Sequence, residues 1–174
     1  MGSEPPRFGP AGTTLRKAVS TDAATIAEMI RDLAIATEGT DKQFSTAQDM
    51  AHHGFGGVRR FEAVLAEQDR SPVGLLLYFF NFSSWRGKLG IYVQDIHVVA
   101  RLRGCGLGRA LLLEAVRIGS KEGCTHLRLS VDANNHRARA FYDHMGLKAC
   151  DDEVIYLASE DSFQALLEES LDGK

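Results

Sequence analysis

Apolar positions along this chain change their spacing several times, and each change marks an element. Thr14 to Ala18 predicts a short opening strand. Ile26, Met29, Ile30 and Leu33 then fall on one helical stripe behind Ser20, Thr21 and Asp22 as N-cap choices, predicting a helix from Ala23 to Ala36. A second short helix is expected within 45–57, closed by the glycines at Gly54 to Gly57. Glu62 to Ala66 and Val73 to Phe82 read as a hairpin with Glu67 to Pro72 as its turn. The unbroken run Leu75 to Phe80 predicts a central strand buried on both faces. Ser83 to Gly90 reads as a loop, and Ile91 to Val99 is rich in β-branched and aromatic residues, as a buried strand requires.

Helical spacing returns with Leu107, Ala110, Leu111, Ala115 and Ile118, predicting a helix from Leu107 to Glu122 that Gly123 stops. Leu127, Leu129 and Val131 alternate within a strand from His126 to Val131. Asn134 or Asn135 caps a helix from His136 to Met145, which Gly146 ends. Glu153 to Ala158 predicts a last strand, and Asp161 to Leu171 a last helix, acidic outside with Phe163, Leu166 and Leu167 facing inward. Strands alternating with helices in this order make an α/β chain.

Composition adds mainly exclusions. At 174 residues the length suits one domain, read as a flexible leader over 1–12 and a single domain over 13–174. A net charge of −3 offers no general basic surface for nucleic acid. There is no long apolar run and no charged-apolar-small pattern at the start, so neither membrane span nor signal peptide is expected, and cytoplasm is the default. Cys105, Cys124 and Cys150 are too few and too irregular for a disulfide framework or zinc site. His52 and His53 are adjacent, so on a helix they face apart, and no metal site is expected there.

The candidate chemistry lies where the strand 91–99 meets the helix at Leu107. Gly104, Gly106 and Gly108 at alternate positions let backbone N–H groups converge on one point, ahead of a helix N-terminus whose dipole favours anions. A diphosphate suits that cradle. A Walker A loop is absent, and the dinucleotide fingerprint would need glycine where the chain has Arg109.

What remains is Arg-x-x-Gly-x-Gly, present as Arg103-Gly104-Cys105-Gly106-Leu107-Gly108, and this is similar to the acetyl-coenzyme A signature of the GNAT N-acetyltransferase superfamily. Asn135-x-x-Ala138-x-x-Phe141-Tyr142 with Gly146 resembles that superfamily's second landmark. Gly54-Phe55-Gly56, Val73-Gly74 and Tyr78 to Lys88 resemble its diamine (spermidine/spermine) branch, and the likeness runs from about 14 to 158. It implies the GNAT fold: a mixed, mostly antiparallel sheet, flanked by helices and splayed at the acetyl-coenzyme A site. It also implies a homodimer.

The resemblance carries roles onto particular residues. The coenzyme would be held by the main chain of Arg103, Gly104, Cys105, Gly106, Leu107, Gly108 and Arg109, by the strand through Ile96, His97 and Val98, and by Asn135. Arg101, Arg103 and Arg137 are candidates for the 3′-phosphate. Tyr142 would protonate the departing thiolate, since a phenol of pKa near 10 suits that task. The branch has Glu-Asp where this chain has Gln94-Asp95, which leaves Asp95 as proton acceptor or ammonium anchor beside Gln94. His97 has a suitable pKa, and strand alternation puts it on the face of Asp95, opposite Gln94. Trp85 is available for cation–π contact, and Glu38 and Asp41 for negative charge, where Ser83-Ser84 replaces the branch's Asp-Pro. The expected activity is transfer of acetyl from acetyl-coenzyme A to a primary amine of a small molecule, without metal. A peptide acceptor and a non-catalytic acetyl-coenzyme A sensor are the alternatives.

Overall fold

A computed structural model describes residues 9–38, 44–150 and 153–172. Among the described residues five strands form one sheet in sequence order: β1 (Thr13–Lys17), β2 (Glu62–Gln68), β3 (Ser71–Ser83), β4 (Lys88–Val98) and β5 (His126–Leu129). The first three pairings are antiparallel, and only β4 with β5 is parallel. The helices are α1 (Ala23–Glu38), α2 (Ala47–Phe55), α3 (Leu107–Lys121), α4 (His136–His144) and α5 (Glu160–Asp172). Contacts divide the chain into two units, Met1–His136 and Arg137–Lys174.

Within the first unit the sheet separates two packed layers. On one face Leu65, Leu75 and Leu77 pack with Ile26 and Met29 of α1 and Met50 of α2. On the other, β3 and β4 approach α3 so closely that a Cβ on Gly74 would lie 3.1 Å from Leu111, and one on Gly119 would lie 3.2 Å from Ile91. Burying β3 between both layers accounts for its unbroken apolar run: Val73 and Leu75 to Tyr78 are at most 5% exposed. The entry to α1 is pinned electrostatically. Arg16 reaches Asp22 at 2.7 and 2.9 Å and Glu67 at 2.7 Å, and Asp22 also accepts the Val19 N–H at 2.8 Å. The Arg16 guanidinium therefore holds the Asp22 carboxyl below its usual range. Thr46 and Asp49 form a reciprocal capping box that starts α2.

Several expectations are corrected. The β2–β3 turn is much tighter than Glu67 to Pro72: Gln68 pairs with Ser71, leaving Asp69 and Arg70 alone in the turn at φ 50° and 63°. Two positive φ values match the twist of a two-residue hairpin, though neither residue is the usual glycine. Gly90 lies in β4, paired with Asn81, rather than in a loop. The strand β5 stops at Leu129, short of Val131. In the second unit Glu153 to Ala158 is not a strand. Val154, Ile155, Tyr156 and Leu157 are 77–94% exposed, and among the described residues no strand supplies the ladder their alternation needs. Helix α5 forms as expected, but Phe163, Leu166 and Leu167 are 43–59% exposed rather than buried.

Candidate functional site

The site begins with an extra residue in β4. Tyr78 pairs with Val93 while its neighbour Leu77 pairs with Asp95, so Gln94 has no partner and the strand bulges there. The bulge changes which residues face which helix. Ile91 and Val93 face α3, and simple alternation would send Asp95 and His97 to the same side. With Gln94 bulged, Asp95 and His97 sit opposite Leu77 and Leu75, on the face covered by α1. The shared face of Asp95 and His97 is therefore as alternation predicts, but it is the other side of the sheet from Ile91.

The bulge also coincides with a split in the sheet. The last β4–β5 pair is Val93 with Leu129, whereas β4 keeps its β3 partners to Val98. At that last rung the Tyr92 hydroxyl lies 2.7 Å from Ser130 Oγ, and the Tyr92 ring stacks on Phe79 with centroids 4.9 Å apart. Beyond it, Gln94 to Val98 present an edge that β5 does not cover. An extended ligand can add to such an edge as a further strand would.

That edge runs straight into the glycine cradle. After a 3-10 turn at Ala100–Leu102, the Arg103 Nε–H donates to the Val98 carbonyl at 3.0 Å and folds the chain back on the strand end. Gly104 and Gly106 both take φ +82°, and a Cβ on either would meet nothing within 4 Å. Only glycine adopts this backbone without cost, and its open side lets a ligand reach the main chain. Gly106 is the N-cap of α3, and Ala110 N–H is the donor to its carbonyl at 3.0 Å. The N–H groups of the preceding turn therefore have no intrahelical acceptor, the condition for holding an anion. Two left-handed glycines, an open approach and a helix start fit the diphosphate of a coenzyme A. Arg101 reaches Gln68 at 3.2 Å, and Cys105 is exposed.

Burial then tunes the two titratable groups on β4. Partial burial alone pushes the Asp95 carboxyl up, towards a group that can accept a proton. His97 is only 3% exposed. Burial pushes its imidazole down first, the Arg103 charge lowers it further, and the Asp32 carboxylate on α1 pulls it back up. Asp32 is the residue that sequence reasoning missed. The available signal was a carboxylate beside Met29 and Leu33 on the flank of the apolar stripe of α1.

The other candidates fall in different places. Trp85 is 99% exposed in the β3–β4 turn, so roughly 20 Å of extended strand separates it from Asp95 within one chain. Glu38 is the last residue of α1, and Asp41 lies outside the described residues. Asn135 precedes α4, its N–H donating to the Asp132 carbonyl at 2.9 Å. In the second unit Tyr142 lies on α4 beside Phe141, ring centroids 5.2 Å apart, and its carbonyl accepts from Met145 and Leu147. Gly146 ends that turn at φ +84°. His52 and His53 meet edge to face on α2. Among the described residues no group of His, Cys, Asp and Glu is arranged to hold a metal ion, and no helix is long and apolar enough to cross a membrane.

Comparison with known proteins agrees with this geometry. The chain is 31% identical over 140 residues to thialysine N-epsilon-acetyltransferase from Bos taurus, covering 76% of the chain and 82% of the relative. It is 27% identical over 139 residues to human spermidine/spermine N(1)-acetyltransferase-like protein 1, covering 76% of the chain but only 20% of that longer protein. Among solved structures, an integron cassette protein from the mobile metagenome of V. cholerae shares the fold with a TM-score of 0.80 at 17% identity, covering 91% of the chain and 99% of that protein. The model of the acetyltransferase (GNAT) family matches residues 27–147, spanning the bulged strand, the cradle and α4. The chain belongs to the acetyltransferase (GNAT) family and is an N-acetyltransferase.

Proposed function

We propose that the protein transfers acetyl from acetyl-coenzyme A to a terminal primary amine of a small, flexible molecule such as a lysine analogue or diamine. The observation that carries this reading is the uncovered β4 edge, Gln94 to Val98, running directly into the Gly104–Gly106 cradle with a half-buried carboxylate at Asp95. The names of the thialysine and spermidine/spermine relatives support an amine on a short aliphatic chain.

Acetyl-coenzyme A, when bound, supplies the thioester whose carbonyl carbon the amine attacks. The chain's own residues do the rest. Main-chain N–H groups from Arg103 to Arg109 hold the diphosphate, with Asn135 assigned to the coenzyme as well. A backbone N–H at His97 or Val98 stabilises charge developing on the carbonyl oxygen, a contribution worth about 3 kcal/mol where such donors have been removed. Asp95 anchors the incoming ammonium, with Gln94 beside it. Tyr142 supplies the proton that the leaving thiolate takes. Glu38 is assigned to the acceptor, and Trp85 only from a second copy of the chain, since roughly 20 Å of strand separates it from Asp95 within one.

A homodimer is part of the same reading. Val154, Ile155, Tyr156 and Leu157, with Phe163 and Leu166 of α5, are apolar side chains that one chain leaves exposed. Light scattering after size exclusion tests it; a monomer at micromolar concentration would refute the assignment. Cytoplasmic location belongs to this reading too, through the nature of its proposed substrates.

The activity is tested by thiol release from acetyl-coenzyme A against thialysine, lysine, putrescine, spermidine, an aminoglycoside and a basic peptide. Turnover is expected with the small flexible amines, and Tyr142→Phe is expected to lower it by roughly tenfold or more. Turnover with the peptide alone would replace the small-molecule reading. Coenzyme binding without turnover of any amine would favour a sensor.

A further inference from the structure

The hairpin of β3 and β4 runs on past its neighbour. On the β2 side the last pairing is Tyr78 with Glu62, yet β3 continues to Ser83. Over Phe79 to Ser83 the strand has β4 on one side and, among the described residues, no backbone hydrogen bond on the other. Soluble proteins blunt such an edge with charge, proline or a covering element. The outer strands follow that rule, β1 with Arg16 and Lys17 and β5 with His126 and Arg128. The stretch Phe79-Phe80-Asn81-Phe82-Ser83 has neither charge nor proline. Phe82 is 63% exposed, and Trp85 in the turn beyond it is 99% exposed. An open apolar edge of this kind is a template for another strand.

We propose that this edge binds the same edge of a second copy of the chain, as an antiparallel pair about a two-fold axis through Asn81. The proposal rests on the homodimer of the functional reading and gives it a surface. Register carries it. A two-fold axis normal to the sheet keeps every side chain on its own face, so the axis must pass through a residue rather than between two. An axis at Phe80 would set the second copy's Phe82 opposite Tyr78, a place that Glu62 already holds. An axis at Phe82 would bring residues 84 and 85, beyond the end of the strand, opposite Phe80 and Phe79. An axis at Asn81 fills all five open positions, with Phe79 opposite Ser83 and Phe80 opposite Phe82 in both directions. Two aromatic cross-strand pairs then share one face. On the other face Asn81 meets its own copy. Its Oδ1 is buried without a donor in the single chain, and a facing amide supplies one.

The size of the contact is sufficient. In this register the turn that carries Trp85 ends beside the start of the second copy's β2, so Trp85 enters the interface with Phe82. Aromatic side chains bury roughly 150–250 Å² each, so the exposed Phe82 and Trp85 of two copies, with the strand backbones, approach the ~1,000 Å² that a specific interface needs.

Light scattering after size exclusion and disulfide trapping test this on the full chain. Phe82→Lys, a change at an exposed position, should weaken dimerisation by about 30-fold or more while the protein melts as wild type does. Asn81→Cys, with Cys105 and Cys150 changed to serine, should form a covalent dimer under mild oxidation, because facing Cα atoms roughly 4.5–5.5 Å apart are within disulfide reach. Val116→Cys in the same background, half exposed on α3, should not. A wild-type dimer that Phe82→Lys leaves intact, or that Asn81→Cys does not trap, overturns the edge pairing and leaves the homodimer to another surface. A wild-type monomer at micromolar concentration overturns both. Neither readout uses turnover, so failure of the amine panel would strike the acetyl-transfer reading and not this one.

Discussion

The strand β4 is two structures joined at one residue. From Lys88 to Val93 it is ordinary scaffold: β3 pairs it throughout, β5 pairs Gly90 to Val93, and Ile91 and Val93 are 1–2% exposed against α3. From Gln94 to Val98 it has a partner on one side only, it turns Asp95 and His97 towards α1, and it ends at the cradle. Both halves share a backbone and a partner strand. The difference comes from one unpaired residue, which changes the facing of every side chain after it.

The strongest way to break this contrast is to delete Gln94. Without the extra residue Asp95 follows Val93 directly and stays opposite Leu77 on the α1 face, but the kink that parts β4 from β5 is lost and the open edge can close. Turnover is expected to fall by about 1,000-fold or more as the edge for the coenzyme closes, with thermal stability kept; a deletion that remains active would mean that the bulge is dispensable.

The next change touches the scaffold half alone. Ile91→Ala removes a side chain 1% exposed and should cost about 2–5 kcal/mol in urea denaturation, while kcat/KM of the folded protein stays within a few-fold. Gly90→Ala works at the same half by overpacking. The new Cβ would lie 2.3 Å from His126 Nε2 and 2.7 Å from Asn81 Oδ1, for a loss of about 1–3 kcal/mol. A neutral result for either would show that β4 and β5 relax more freely than their close packing indicates.

The smallest effect separates charge from packing in the site half. Burial raises the Asp95 pKa, so the folded protein binds that proton more tightly than the unfolded chain does. Its contribution is fully present below the ordinary carboxylate pKa and is lost as pH rises through the raised folded value. Asp95→Asn should therefore flatten the decline in stability across that window, read as urea midpoints at several pH values, while lowering kcat/KM. A variant whose stability tracks wild type at every pH would mean that burial does not act on this carboxyl.

The same contrast separates what the sequence reveals from what it hides. The cradle was legible because glycines at alternate positions before a helical stripe constrain the backbone directly, and Gly104 and Gly106 do take positive φ. The helices α1 and α3 were legible because Ile26 and Met29, or Leu107 and Leu111, repeat at helical spacing and are buried. The bulge was not, since Gln94 is an ordinary strand residue and its surplus exists only relative to β3. The turn at Asp69 and Arg70 was hidden for a similar reason, because nothing in those residue types announces a left-handed backbone. Glu153 to Ala158 has the alternation of a strand, but alternation specifies a face and cannot supply a neighbour.

The order of the sheet also bears on how the molecule assembles. The β2–β3 and β3–β4 pairings close through short turns, whereas β1 meets β2 only after α1 and α2, and β5 reaches β4 only after the chain has crossed over through the cradle and α3. Loop closure must precede the reward of non-local contacts, so hairpins β2–β3 and β3–β4 are expected to form early and the parallel pairing late. The coenzyme cradle lies within that late crossover. A ligand gripping it acts on structure absent from the folding transition state, and so should slow unfolding without speeding folding.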